Sequence, residues 1–344
     1  MASTENEVAI AEPPTDGVTA VRWGASSSAP RLLVSSWDAT VRLYDTVDFR
    51  SRAVLPQPGP VLDCDFVGES DHAASGALDG RVRLHGLGSG GEALLGQHGG
   101  AVCCVRHCAA AGASCLVTGS WDKTVKLWDV RTPEPCAATF ELPEKVLSLC
   151  AGTPGAPAAS MPLVVVATAG RQIVLLDLRR PGETMQRRES SLKCQTRCVA
   201  QMCSGEGYTL GSVEGRVAVE YVDDSPEVQQ RKYAFKCHRL NVAGQDTMFP
   251  VNTIAFHPLH GTFATGGCEG HVYVWDGERK KRICALGRYP TSIASLAFSP
   301  SGEMLAIASS YTYENGEVTH PPDAIYIRRV DETEVRPKGS KAVS

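Results

Sequence analysis

The sequence lacks a surplus of either charge. Its 344 residues carry 34 Lys plus Arg against 38 Asp plus Glu, a formal net charge of −4. A general nucleic-acid coat needs a basic excess, so the balance speaks against that class and leaves room only for local basic patches. No apolar run approaches the roughly 20 residues of a membrane-spanning helix; the longest lies around Leu163–Ala169. The N-terminal stretch MASTENEVAIAEPP is polar and acidic, without the apolar centre of a secretory signal. Thirteen cysteines are present, but none form a Cys-x-x-Cys pair and no spacing matches a zinc ligand set. That usage reads as reduced thiols in the cytosol or nucleus, mostly small core residues, with no metal and no cofactor. A helical period longer than two turns is also missing. A phosphate-cradling Gly-rich loop therefore has no helix to lead into.

What the chain does contain is a repeat. SSWDATVRLYD (35–45), GSWDKTVKLWD (119–129) and GGCEGHVYVWD (266–276) align at once. Each is a strand end, a tight turn with an acidic residue, and an alternating strand closed by an aromatic–Asp pair. SGALDGRVRLHGL (75–87), TAGRQIVLLDL (168–178) and SVEGRVAVEYV (212–222) are weaker copies, and 308–330 holds a degenerate one. The spacing, roughly 40–55 residues, brackets the WD period. Each unit carries four β signals; VCCVRHC, CLVTGS, TVKLWD and CAATFEL show them in the third. The expected fold is all-β: a seven-bladed WD-repeat β-propeller. Residues 7–12 (EVAIAE) alternate like a strand and have no blade of their own, so they are expected to close the ring in the last blade. One propeller is expected over 5–330, with a disordered tail over 331–344. AGTPGAPAASMP (151–162) reads as a loop inside blade 4, and NVAGQDTMFP (241–250) as a long connection before blade 6.

His98, Ser120 and Asp122 could be offered as a catalytic triad. The repeat context gives them a structural part instead: a His before the first strand, a hydroxyl on the second (Ser120 or Thr118), the turn Asp122 and Trp128 on the third form a buried hydrogen-bond set. Asp38 and Asp79 hold the same turn position elsewhere, with Glu214 and Glu269 as substitutes. His257 and His260, in AFHPLH, read as turn residues rather than metal ligands. No reaction class is supported, so the chain is read as a binding protein.

Topology selects the binding face. In a four-stranded blade the turn between the second and third strands exits on the same side as the connection to the next blade. The first kind of turn supplies Arg81, Lys123, Arg171, Arg216 and His271; the second supplies Lys145, Arg197, Lys236 and Arg239. Trp37 and Trp121 stand at the ends of second strands. The expected surface is basic with aromatic anchors, suited to acidic or phosphorylated peptides.

RRESSLKCQTRCVA (187–200), EGRVAVEYVDDSPEVQQRKYAFKCHRL (214–240), HGTFATGGCEG (260–270) and RYPTSIASLAFS with LAIASSY (288–311) carry a more specific resemblance. The chain resembles the spindle-checkpoint WD-repeat proteins of the budding-uninhibited-by-benzimidazole group, from PPTDGV (13–18) to IRRV (327–330). A sister family, the messenger-RNA export WD proteins of the nuclear pore, shares EGRVA, FKCHR, AFHP and ASSY. Cys194 departs from the aromatic usual before QTR, and loop 151–162 is unusually rich in Ala and Pro. The checkpoint resemblance implies a non-enzymatic adaptor, nuclear and cytoplasmic, at kinetochores in mitosis. It implies an acidic docking motif of checkpoint kinases and kinase-like proteins as one partner, and phosphorylated Met-Glu-Leu-Thr repeats of the kinetochore scaffold as another. Indirect links to the mitotic checkpoint complex and the anaphase-promoting complex, and phosphopeptide and ubiquitin binding, are implied too. No direct nucleic acid, no membrane and a monomeric propeller complete the expectation. The family's binding residues fall on Trp37, Trp121, Arg197, Arg216 and Arg239, all on the face chosen by topology. Lys123, Lys145 and Arg171 join them as candidates from the same turns.

Overall fold

The computed structural model describes residues 6–24, 31–68, 71–88, 90–110, 113–132, 134–152, 162–242 and 244–337. Most of the loop read at 151–162 lies outside the described residues. The chain begins with a short strand, β1 (Glu7–Ala9), and then builds seven four-stranded antiparallel sheets. Blade 1 holds β2 (Val18–Trp23), β3 (Arg31–Ser36), β4 (Thr40–Asp45) and β5 (Ser51–Pro56). Blade 2 holds β6 (Val61–Phe66), β7 (His72–Ala77), β8 (Arg81–Gly86) and β9 (Glu92–Gln97). Blade 3 holds β10 (Val102–Ala110), β11 (Ala113–Ser120), β12 (Thr124–Asp129) and β13 (Cys136–Glu141). Blade 4 holds β14 (Val146–Ala151), β15 (Leu163–Thr168), β16 (Gln172–Asp177) and β17 (Thr184–Glu189). Blade 5 holds β18 (Thr196–Gln201), β19 (Gly207–Ser212), β20 (Arg216–Tyr221), a one-turn helix α1 (Pro226–Gln229) and β21 (Tyr233–Lys236). A separate hairpin follows, β22 (Arg239–Val242) and β23 (Gln245–Met248). Blade 6 holds β24 (Val251–Phe256), β25 (Phe263–Gly267), β26 (His271–Asp276) and β27 (Lys281–Arg288). Blade 7 holds β28 (Ile293–Phe298), β29 (Met304–Ser309) and β30 (Ala324–Arg329), with β1 as its outer strand.

Burial follows strand position. Second strands such as β15 and β19 are buried at every residue, because both their faces meet neighbouring blades. Outer strands such as β5 and β17 alternate between half-buried and exposed. Among the described residues apolar side chains form seven clusters, and each fills the contact between two adjacent blades; Cys104, Leu127 and Phe140 of blade 3 meet Val146, Val164 and Leu176 of blade 4 in one of them. The cluster joining blades 7 and 1 includes Ile10, just after the closing strand. Val8 pairs with Ile327, and the Ile10 N–H donates to the Ile325 carbonyl (2.9 Å), so the first residues close the ring. Side chains of inner strands also cross between blades. The backbone N–H of Val105 donates to Asp63, that of Val199 to Ser148, that of Leu296 to Thr253 and that of Val21 to Ser295. Asp63 in addition binds Arg22 (2.8 Å) from blade 1 and Arg106 from blade 3.

Two expectations change. The connection at 241–250 is mostly a hairpin, not a plain loop: Arg239 pairs with Met248 and Val242 with Gln245 around the turn at Gly244, whose φ is +85°. The tail expected at 331–344 is ordered over 331–337. There Asp331 and Glu334 form a reciprocal capping box on a one-turn helix, α2 (Glu332–Val335). Val335 is 2% exposed against the core between blades 6 and 7, and the Thr262 hydroxyl donates to its carbonyl (2.6 Å). Residues 338–344 lie outside the described residues.

Candidate functional site

One hydrogen bond recurs in every blade and sets the geometry of the upper face. The residue just after the second strand donates its N–H to the carbonyl just before the first strand. The pairs are Trp37 to Gly17, Leu78 to Pro60, Trp121 to Ala101, Ala169 to Lys145, Val213 to Gln195, Cys268 to Pro250 and Ser310 to Ser292, at 2.8–3.1 Å. Two residues further on, the turn passes through positive φ at Ala39, Gly80, Lys123, Arg171, Gly215 and Gly270. Trp37 and Trp121 are thereby presented alike, each 43% exposed.

The inner strands supply a second ring. Each first strand has a register shift after its first residue, and the displaced residues are Thr19, Leu62, Cys103, Leu147, Arg197, Asn252 and Ala294. A bulge of this kind re-aims a side chain. Arg197 is thus a strand residue at a bulge rather than part of the preceding connection. A cavity of about 900 Å³ is lined by Trp37, Trp121 and Arg197, with Cys103 and Leu147 from the same ring and Glu317, His320 and Asp323 from the long blade 7 loop. The structure therefore brings three of the eight expected binding residues into one recess.

Arg216 and Arg239 stand elsewhere, at the junction of blades 5 and 6. The Cys237 N–H donates to the Gly215 carbonyl (2.9 Å), and Arg216 pairs with Lys236, which ties both arginines to one edge. Arg216 Nε is 3.7 Å from Glu214 Oε2, and Arg239 Nη1 donates to Asp246 (3.1 Å). The Nε atoms of both are buried without a hydrogen-bond partner, as are Glu214 Oε1, Glu269 Oε2 and His271 Nδ1 beside them. Buried donors left open in this way are unusual in a folded protein. Lys123 and Lys145 are exposed, with Lys123 3.4 Å from Glu144. Arg171 differs from the rest. Its guanidinium donates to the carbonyls of Leu192 and Lys193 and pairs with Glu189, so its donors are engaged within the chain.

Comparison with known proteins supplies the family. The WD domain, G-beta repeat model matches residues 7–45, 92–129 and 233–276. The chain is 49% identical to mitotic checkpoint protein BUB3.1 of Arabidopsis thaliana, covering 96% of this chain and 94% of that protein. Mitotic checkpoint protein bub3 of Dictyostelium discoideum is 43% identical, with 92% and 93% covered. The poly(A)+ RNA export protein of Schizosaccharomyces pombe is 34% identical, with 98% and 94% covered. The chain belongs to the BUB3 mitotic checkpoint family. The solved structure of U3-55K superposes with a TM-score of 0.78 over 96% of this chain and 100% of that one; at 16% identity it speaks to the propeller fold alone.

As a BUB3-family protein the chain is a non-catalytic WD-repeat adaptor, and its buried polar sets hold blades. Trp128 Nε1 donates to Thr118 Oγ1 (2.8 Å), which lies 2.7 Å from His98 Nε2. His98 Nδ1 lies 2.8 Å from Thr124 Oγ1, which donates to Asp122 (2.7 Å). A neutral His98 with its proton on Nδ1 satisfies every link. Burial holds its pKa down at about 4, against the pull of Asp122. Burial works against the Asp122 charge, but bonds from Thr124 and the Gly99 N–H outweigh it and leave its pKa low. Ser120 stands outside this relay: it donates to the Gly100 carbonyl (3.0 Å) and accepts from the Asp122 N–H. Blade 6 repeats the set with Trp275, Thr265, His238 and Glu269. His238 escaped the sequence reading because the hairpin separates it from blade 6; its place just after an outer strand, as for His98, is the signal. His257 is buried, 3.2 Å from the Gly302 carbonyl, and accepts from the N–H groups of Leu259 and His260.

Proposed function

We propose that this adaptor docks an acidic motif of checkpoint kinases and kinase-like proteins, and phosphorylated Met-Glu-Leu-Thr repeats of the kinetochore scaffold, on its upper face. It thereby recruits checkpoint proteins to unattached kinetochores and delays anaphase, working in the nucleus, at kinetochores in mitosis, and in the cytoplasm. The observation that carries this reading is the recess shared by Trp37, Trp121 and Arg197. Aromatic walls beside an exposed guanidinium suit a peptide with carboxylates, because Arg grips them through two parallel hydrogen bonds. The junction of Arg216 and Arg239 is the place for phosphothreonine. Both guanidinium groups keep part of their surface open, the Arg216 side chain at 34% and that of Arg239 at 16%, and their N–H donors suit a phosphate, which brings three acceptor oxygens. Lys123 and Lys145 add attraction at the rim, while Arg171 serves the rim's own structure.

A capture experiment tests the reading. The tagged protein from mitotic cells should retain a checkpoint kinase, and Arg197→Ala should lose it. Capture of a nucleoporin in place of the kinase would favour the RNA-export role that the Schizosaccharomyces relative's name carries.

A further inference from the structure

The upper face holds a large apolar side chain that the sequence reading passed over. Leu78 follows strand β7 as Trp37 follows β3 and Trp121 follows β11, and all three make the same backbone hydrogen bond. Leu78 is 42% exposed and each tryptophan 43%. Blade 2 lies between blades 1 and 3, so Leu78 stands between the two tryptophans on one arc around the channel. The equivalent residues of blades 4 to 6 do not extend the arc: Ala169 is small, Val213 is half-buried and Cys268 is buried.

The face is therefore divided. Over blades 1 to 4 it offers Trp37, Leu78 and Trp121, with Cys103 and Leu147 in the recess below. Over blades 5 and 6 it offers Arg197, Arg216 and Arg239. The three turn carboxylates beside the arc are held within their own turns, two of them by an arginine, while Asp16, Glu317 and Asp323 line the recess together with Arg197. Asp38 holds Thr40 and Arg42, Asp79 holds Arg83 and the Arg81 N–H, and Asp122 holds Thr124 and Gly99. Trp37 and Trp121 line a recess that also holds Arg197, and Leu78, exposed at the equivalent position of the blade between them, extends that apolar rim.

We infer that Leu78 is a third apolar anchor of the partner-binding face, and that the docking segment lies with apolar side chains over blades 1 to 3 and its acidic residues toward blade 5. This rests on the docking reading above. The occupant is the acidic segment itself rather than a second copy of the chain: the recess links the arc to Arg197, and a peptide with both apolar and acidic residues satisfies the two ends together.

The test titrates a synthetic acidic docking segment of a checkpoint kinase against wild type, Leu78→Ala, Leu78→Glu and Arg197→Ala. Leu78 is exposed, so both of its variants should melt with wild type. Leu78→Glu should weaken the segment about tenfold or more, and Leu78→Ala by a smaller factor. Affinity for a phosphorylated Met-Glu-Leu-Thr peptide should stay within twofold in both. Binding of the kinase segment unchanged by Leu78→Glu, with Arg197→Ala still harmful, overturns the role of Leu78 and leaves the docking reading standing. No binding to wild type defeats the docking reading itself. Sedimentation should show wild type as a monomer; a dimer dispersed by Leu78→Glu would make the arc a self-interface and also overturn the inference.

Discussion

The Thr118 hydroxyl joins His98 to Trp128: it lies 2.7 Å from the imidazole Nε2 and accepts the indole N–H at 2.8 Å. The connection between blades 2 and 3 and two strands of blade 3, β11 and β12, meet at that one oxygen. Thr118→Val keeps the shape and leaves two buried polar groups without partners. Each such loss costs about 1–3 kcal/mol. Chemical denaturation of the variant should show a drop in that range while peptide binding is kept. Full stability in Thr118→Val would mean that the relay does not hold the blade.

Asp122→Ala should behave in the same way. It removes the acceptor of Thr124 and of the Gly99 N–H, at a cost of about 1–3 kcal/mol. Binding lost at unchanged stability would move Asp122 from the frame to the binding site.

Acid should weaken the fold in a defined window. Burial depresses the pKa of His85, His98 and His257 from 6.5 to about 4. Between those values the unfolded chain binds more protons than the folded one, so stability rises with pH there and is lost as pH falls from 6.5 toward 4. Each histidine held neutral contributes a slope of up to about 1.4 kcal/mol per pH unit. Asp38, Asp79 and Asp122, depressed below 3.8, keep their contribution above that value and lose it only in stronger acid. Denaturation midpoints at pH 7.5 and pH 5 should differ clearly, with the lower at pH 5. Equal midpoints would count against neutral buried imidazoles.

The two ends of the chain should each be needed. Deleting residues 1–12 removes β1, the buried Ile10 and the Glu12 carbonyl that accepts the Tyr44 hydroxyl (2.6 Å). Truncating after Val330 removes the buried Val335, whose side chain is worth about 1.5–3 kcal/mol when fully buried. Both truncated forms should melt below wild type, the N-terminal one by the larger margin because an edge is also opened. An unchanged melting temperature in either would show that end to be dispensable.

The repeat made the propeller legible, because Trp-Asp and its degenerate forms recur where each blade needs a turn residue and a closing aromatic. Strand parity left Thr118 and Ser120 on the same face, so pattern alone could not choose the hydroxyl that meets His98; only the position of the imidazole decides. Val335 sits among charged residues and reads as tail, since the core that buries its side chain, with Ile283, Leu286 and Ile293, and the Thr262 hydroxyl on its carbonyl lie far away in sequence. The hairpin at 239–248 was missed because its side chains are half-buried or exposed, without the alternation of a packed strand. Topology placed Trp37, Trp121 and Arg197 on one face, but a bulge aims Arg197 into the recess, and nothing local announces a bulge. Arg171 shows the limit of the same reasoning, since the carbonyls that hold it belong to the next connection.

The central claim is that the upper face reads charge carried by a partner peptide. It is tested most directly by titrating phosphorylated and unphosphorylated Met-Glu-Leu-Thr peptides against wild type, Arg216→Ala and Arg216→Lys. The phosphorylated peptide should bind more tightly to wild type. Arg216→Ala should lose about 2 kcal/mol or more, roughly thirtyfold, and Arg216→Lys should recover only part, since it keeps the charge without the planar fork. Equal affinity of wild type for the two peptides, or no loss in Arg216→Ala, would contradict the account.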